Sequence, residues 1–216
     1  MEENQKQVSP WEFLYLTLYA FAGFGVELIL VWLEGLIPGW GAAEWQNCLH
    51  WAVTALIWGV LCVKLGQWAQ KKTGFNWRHN TPEPGEKRLL WALGCTAAAI
   101  GLSAWVWGGF KPSIELERLG WLQLCFQWVY YLFEARLMML LICFGQRFGE
   151  SLGGKPYIPW GGVALALTWG LVHVLTQGAS TAVYAAGTAL LYGGIYLFAL
   201  QNAKLAYPLV ALAFLL

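Results

Sequence analysis

The sequence predicts an all-α fold, a polytopic transmembrane helical bundle of about six or seven membrane helices with a short C-terminal segment. Three observations predict this fold class. Of the 216 residues, 58% are hydrophobic, and the mean hydropathy is +0.51. Only 12% are charged, about half the share with which a soluble domain covers its surface. The chain also contains 15 tryptophans, and this residue is enriched at membrane interfaces.

Seven apolar segments follow one another along the chain. Most approach or exceed the roughly 20 residues that a helix needs to cross about 30 Å of hydrocarbon. Open sheets are excluded in lipid because unpaired backbone groups cost too much free energy there. The last segment rises only about 20 Å, so we expect it to enter the membrane without fully crossing it. The segments are 11–36, 45–66, 88–109, 120–146, 159–177, 180–200 and 204–216.

Lysine and arginine positions predict the orientation of this single membrane domain, residues 1–216. The linker at 67–87, between the second and third segments, is rich in both residue types and is expected to be a cytoplasmic loop. Alternating helices then place the N-terminus, Arg147, Lys155 and Lys204 on the same side, and leave only Lys111 and Arg118 outside. This positive-inside bias predicts an N-terminus in the cytoplasm. The expected location is a bacterial plasma membrane.

Composition argues against several classes of site and partner. The five cysteines are scattered through apolar segments with neither a CxxC pair nor a Cys/His pair at metal-ligand spacing. We therefore expect buried free thiols, no metal and no cofactor. A net charge of +1 does not suggest a nucleic-acid partner. Membrane lipid is the expected partner, with a membrane protein or peptide as a further candidate.

Charged and titratable residues inside the apolar segments are expected to have a partner or an interfacial position, because a charge in the bilayer costs at least about 2.5–3.5 kcal/mol on insertion scales. Glu34 lies near a helix end and His50 near a helix start, so an interfacial place is expected for both. Glu27 lies deeper, and the expectation for it is an ion pair with Arg136 inside the bundle.

A polar stripe marks the fourth segment. Gln123, Gln127, Tyr131 and Glu134 recur at spacings of four, four and three residues, which places them on one helical face. Such a stripe in a lipid-embedded helix should face protein or a water-filled cavity. Arg136 follows Glu134 by two residues and points about 200° away, outside the stripe.

The fifth segment carries a matching face, formed by Trp169, His173 and Gln177 at spacings of four. Counted from the cytoplasmic ends of their helices, Glu134 and His173 reach depths that agree within a few ångströms at about 1.5 Å per residue. A glutamate and a histidine at one depth can activate a water as general base and orienting group. The alternative is a structural hydrogen bond that pins the two helices together.

Three stretches of the C-terminal half are similar to known motifs. In "WGLVHV", His173 follows Trp169 as a histidine follows Phe in a Phe-x-x-x-His motif. In "ARLMMLLICFGQRFG", Arg136 stands as the arginine of Glu-Glu-x-x-x-Arg. "GTALLYGGIYLFALQNAKLAYPLV" looks like a Gly-rich helix and the turn before a last helix. On these stretches, residues 120–216 resemble the core of the CPBP family, also called Abi, which includes CAAX prenyl endopeptidases and bacteriocin-processing enzymes.

The resemblance implies a membrane protease site with Glu134, His173 and Arg136 as the catalytic set and Gln127, Tyr131, Trp169 and Gln177 around the substrate. The chain departs from the family pattern in two places. The positions that correspond to the glutamate pair are Tyr131 and Leu132, and the stretch after Pro208 contains no His-x-x-x-Asn.

These departures favour a non-catalytic, CPBP-like membrane protein with a degenerate protease site, acting as a scaffold or as a subunit that binds lipid or peptide. An intramembrane endopeptidase that uses Glu134 and His173 to activate water is the first alternative. A channel or transporter component, whose polar stripe lines a pore, is the second.

Overall fold

The structure, a computed structural model, describes residues 8–41, 43–78 and 83–216. The described residues form helices joined by short connections, and no strand occurs among them. The predicted all-α helical bundle is therefore confirmed. The helices are α1 (Pro10–Gly35), α2 (Glu44–Thr73), α3 (Glu86–Trp107), α4 (Lys111–Ser151), α5 (Trp160–Leu165), a π-helix (Ala166–Gly170), α6 (Leu171–Thr176), α7 (Ala179–Phe198) and α8 (Ala203–Leu215).

Five of these helices, α1, α2, α3, α4 and α7, are long and apolar enough to cross a membrane. Two shorter apolar helices, Trp160–Thr176 and Ala203–Leu215, complete the bundle. Because successive helices run in opposite directions, residues 74–78, 152–159 and 199–202 come together at one end, which we call the basic end after its lysines and arginines. Residues 36–41, 108–110 and 177–178 lie at the opposite end.

Several helix boundaries differ from the sequence prediction by two residues or more. Helix α2 continues to Thr73 and α3 begins at Glu86, so the predicted 67–87 loop is partly helical, and its residues 79–82 lie outside the described part of the chain. Helix α4 begins nine residues before the predicted start at 120. Gly120, with φ +72°, separates this first part from the rest of α4, a conformation that glycine adopts at no steric cost.

Helix α4 forms the centre of the bundle. Every residue from Leu137 to Gln146 is buried, as expected for a helix that is apolar on all sides. Trp58 of α2 is also fully buried, and its indole N–H donates to the Gly23 carbonyl of α1 at 2.8 Å. Helices α1, α2, α5 and α8 all pack against α4, so the buried stretch of α4 forms the core of the bundle.

Small residues bring α5 and the π-helix into backbone contact with α7. A Cβ added at Gly193 would lie 2.5 Å from the Cα of Gly162, and one added at Gly170 would lie 2.9 Å from the Cα of Ala186. Ala185 and Ala189 of α7 are almost completely buried. The small residues of α7 therefore serve packing inside the bundle, since large side chains would hold the helices apart.

Side-chain hydrogen bonds tie the helices together at the basic end. The buried amide of Gln146 accepts from the Gly161 N–H at 3.0 Å and donates to the Ile158 carbonyl at 3.1 Å. It also donates to Glu150 Oε1 at 2.9 Å, and Gln201 donates to the same oxygen at 2.6 Å. These contacts fix α5 and the α7–α8 turn against α4.

Candidate functional site

The half of the bundle nearer the opposite end contains a cavity of about 790 Å³. Its walls come from α1, α2, α3, α4, the π-helix, α6, α7 and α8, and much of the lining is apolar. The chemistry-bearing side chains that line it are Glu27, Lys111, Gln127, Tyr130, Tyr131, Glu134, Trp169, His173, Gln177 and Tyr184.

Glu134 lies at the α4 wall of this cavity and is only 8% exposed. The indole N–H of Trp169 donates to Glu134 Oε1 at 3.0 Å. One carboxylate oxygen is therefore engaged by a neutral donor, which holds the side chain in place. Tyr130 and Gln127, one and two turns earlier on α4, are also buried against the cavity, and Gln127 Oε1 has no hydrogen-bond partner among the described residues.

His173 lies on α6, directly after the π-helix that contains Trp169. Its Nδ1 is 2.7 Å from the backbone carbonyl of Trp169. A carbonyl can only accept, so Nδ1 carries a proton and Nε2 is the ring nitrogen left for another partner. The two rings meet edge to face, with centroids 4.7 Å apart. The wider π-helical turn thus precedes the histidine, and such turns are frequent at functional sites.

Glu134 and His173, which the sequence places at one depth, line the same cavity, and Trp169 contacts both. Gln127, Tyr131 and Gln177 line the same cavity. The catalytic and substrate-binding roles assigned to these residues remain predictions.

Arg136, the third residue of the predicted catalytic set, is not part of the cavity lining. Its guanidinium lies over the Trp77 ring at 5.8 Å, toward the basic end. The expected Glu27–Arg136 ion pair is therefore wrong. Glu27 lines the cavity, whereas Arg136 points to Trp77 on another side of α4, so the two side chains do not meet.

Glu27 is associated with His50 instead. His50 Nδ1 is 2.9 Å from Glu34 Oε2, and His50 Nε2 is 3.7 Å from Glu27 Oε1. Both His50 and Glu34 were expected to be interfacial, and they do lie near the helix ends at the opposite end of the bundle. The pairing links α1 to α2 and leaves Glu27 at the cavity wall.

Lys111 is a cavity residue that sequence reasoning missed, since it was placed in an outside loop. It is only 4% exposed and donates to the Phe214 carbonyl at 2.6 Å. Its ammonium lies over the rings of Tyr131 at 4.4 Å, Phe214 at 4.9 Å and Trp107 at 5.8 Å. Among the described residues, no carboxylate oxygen lies within 4.0 Å of it.

Glu115, one turn after Lys111, is fully buried, and the Tyr131 hydroxyl donates to its Oε1 at 2.8 Å. The signal that could have found this pair is the stretch "KPSIE". It combines a proline suited to the first turn of a helix with a lysine and a glutamate four residues apart.

The arrangement suits the binding of an amphiphile. Apolar walls accept hydrocarbon, and a small set of convergent polar groups can fix a head group or a peptide bond. Within the described residues, no group of three or more His, Cys, Asp or Glu side chains could hold a metal ion. Comparison of the chain with protein families, with curated proteins and with solved structures finds no match.

Proposed function

We propose that this protein is a membrane-embedded binding protein that holds a lipid, or a peptide segment within the membrane, in the cavity around Glu134 and His173 without cleaving it. The observation that carries the proposal is the cavity itself, about 790 Å³ in volume, which falls in the range of small-molecule sites of about 300–1,000 Å³. It lies in a bundle whose helices are long and apolar enough for a membrane.

The polar groups of the cavity support binding better than hydrolysis. Glu134 Oε1 already accepts from Trp169, and Tyr131, which stands where the resemblance would place a glutamate, donates to Glu115. The proposed fold is that of a CPBP-like protein whose protease site has degenerated. The buried stretch Leu137–Gln146 fills the other half of the bundle, which disfavours the alternative of a channel component.

One observation favours the endopeptidase as a second candidate. Glu27, Glu134 and His173 line the same cavity, so two carboxyl groups and an imidazole face one space where a water could be activated. The two candidates share the ligand class and differ in whether a peptide bond is broken.

Filling the cavity should abolish binding. A Cβ added at Gly25, a lining residue, meets no atom within 4 Å, so Gly25→Trp can place an indole in the cavity without disturbing the backbone. We expect at least a tenfold loss of cross-linking to the cavity by a phospholipid that carries a photoreactive acyl chain. A membrane-spanning peptide with a photoreactive leucine provides the second probe, and mass spectrometry locates the labelled residues.

Gly94→Trp is the matched control, because a Cβ at Gly94 also meets no atom within 4 Å but this exposed glycine is not part of the cavity wall. It should leave cross-linking unchanged. Equal labelling of the wild type and both variants by each probe would rule out the cavity as the binding site.

We also propose that the basic end faces the cytoplasm, so that the cavity lies on the outer side of the membrane. In Ser9→Cys, the new thiol lies next to the start of α1 at the basic end, and in Ser113→Cys it lies at the opposite end; both serines are exposed. An impermeant thiol reagent applied to intact cells should label Ser113→Cys above the wild-type background and label Ser9→Cys only after permeabilisation. The reverse pattern would invert the orientation.

A further inference from the structure

We infer that a second, smaller pocket at the basic end binds a phosphate-type anion, supplied by the headgroup of an anionic lipid or by free phosphate. This pocket has a volume of about 320 Å³ and is separate from the cavity around Glu134. The segment after α2 forms one side with Phe75, Asn76 and Trp77, and Arg147 of α4 and Gln201 of the α7–α8 turn form the other.

Arg147 supplies the donors. Its guanidinium lies over the Phe75 ring at 5.0 Å, and its Nη1 is 3.6 Å from Glu150 Oε2, a distance beyond that of a good hydrogen bond. The buried Nε has no partner among the described residues. Most of its five N–H donors are thus uncommitted, and the planar guanidinium matches the geometry of a phosphate group.

The surrounding charge favours an anion. Two more guanidinium groups flank the pocket residue Trp77, Arg78 at 4.9 Å and Arg136 at 5.8 Å from its ring. Three arginines therefore converge on this end, whereas the carboxylate paired with Arg147 is that of Glu150 alone. Arg136, which does not line the cavity that sequence reasoning assigned to it, belongs to this cluster instead.

The backbone at Gln201 adopts an energetically unfavourable conformation. Leu200 and Gln201 have φ values of +56° and +58°, a left-handed conformation that is unfavourable for residues with a side chain. The turn is held by the hydrogen bond from Gln201 to Glu150 at 2.6 Å. Strained residues of this kind persist where the surrounding structure fixes them, and they cluster at ligand sites.

The pocket also lies where anionic headgroups are found. It sits at the end of the bundle that carries Lys71 and Lys204, and basic pockets between membrane helices on the cytoplasmic side bind anionic lipid headgroups. Because several helices contribute, a bound phosphate would join the end of α2 to α4 and to the α7–α8 turn.

The test compares lipid retention by the full-length protein in detergent. Native mass spectrometry after incubation with phosphatidylglycerol or phosphatidylcholine micelles should show preferential retention of phosphatidylglycerol by the wild type. Arg147→Gln should lower that retention at least fivefold, and Arg147→Lys should lower it less because the charge remains. Lys155→Gln removes one charge from an exposed site at the same end outside the pocket, and it should leave retention unchanged.

A parallel measurement identifies the source of the anion. Thermal unfolding is followed with added inorganic phosphate and with chloride at equal ionic strength. Protection by phosphate that Arg147→Gln removes would identify a soluble phosphate as a sufficient ligand, and protection by phosphatidylglycerol alone would identify the lipid. The inference is overturned if the wild type retains both lipids equally and is not protected by phosphate. It is also overturned if Arg147→Gln and Lys155→Gln reduce retention to the same extent.

Discussion

Gly193→Ala is expected to destabilise the protein by about 3 kcal/mol or more, the upper end of what overpacking of a core costs. The added Cβ would lie 2.5 Å from the Cα and 2.6 Å from the backbone nitrogen of Gly162. Both atoms belong to the backbone of α5, so no side chain can rotate away, and α5 must separate from α7. Thermal unfolding in detergent, followed by circular dichroism, measures the effect.

Gly187→Ala on the same helix is the control. A Cβ at Gly187 comes no closer than 3.8 Å to any atom, at Leu102. The alanine should therefore be neutral or stabilising, since it improves helix propensity by up to about 1 kcal/mol. If the two substitutions lowered the unfolding temperature equally, the close approach of α5 and α7 would not be a source of stability.

The wild-type protein is expected to leave prenylated and membrane-spanning peptides uncleaved in liposomes. Preorganised donors at a developing oxyanion are worth about 10²–10³ in rate each, and the stretch after Pro208 contains no His or Asn that could supply one. Glu134 accepts from Trp169, and Tyr131 stands where the resemblance to the CPBP family would place a glutamate. Product analysis by mass spectrometry over a peptide library tests this expectation.

Two substitutions in the cavity distinguish binding from cleavage. Glu134→Gln keeps the shape of the side chain and replaces its carboxyl group with an amide, and His173→Ala removes the imidazole. If the cavity only binds, neither variant changes the product spectrum, and both change ligand cross-linking. Cleavage by the wild type that both substitutions abolish, while Lys155→Gln at the basic end, outside the cavity lining, leaves it intact, would establish the endopeptidase instead.

The positions of the helices could be predicted from the sequence to within a few residues in most cases. A membrane helix must bury its backbone polar groups in its own hydrogen bonds and present apolar side chains over a fixed length, so the apolar runs mark it directly. The predicted boundary was wrong at the end of α2, because polar residues continue the helix beyond the apolar run. It was also wrong at the start of α4, where a short helix folds back onto the bundle.

Part of the candidate site could also be predicted. The face of a helix on which a residue lies, and its depth from the helix end, depend only on positions within that helix. Gln127, Tyr131 and Glu134 share a face of α4, and the count of residues from the helix ends brings His173 to their level. The hydrogen bond from Trp169 to Glu134 joins residues 35 apart in the chain, and only the packing of the π-helix against α4 decides that it forms.

The sequence by itself determined that this chain is a bundle of apolar helices with a glutamate and a histidine at one depth inside it. The tertiary structure alone decided which charges meet. Lys111 bonds to a carbonyl 103 residues later, Glu27 lies beside His50, and Arg136 joins Arg78 at Trp77. The physical reason is that helical periodicity fixes the direction of a side chain about its own axis, whereas partners on other helices depend on how the helices pack and cross.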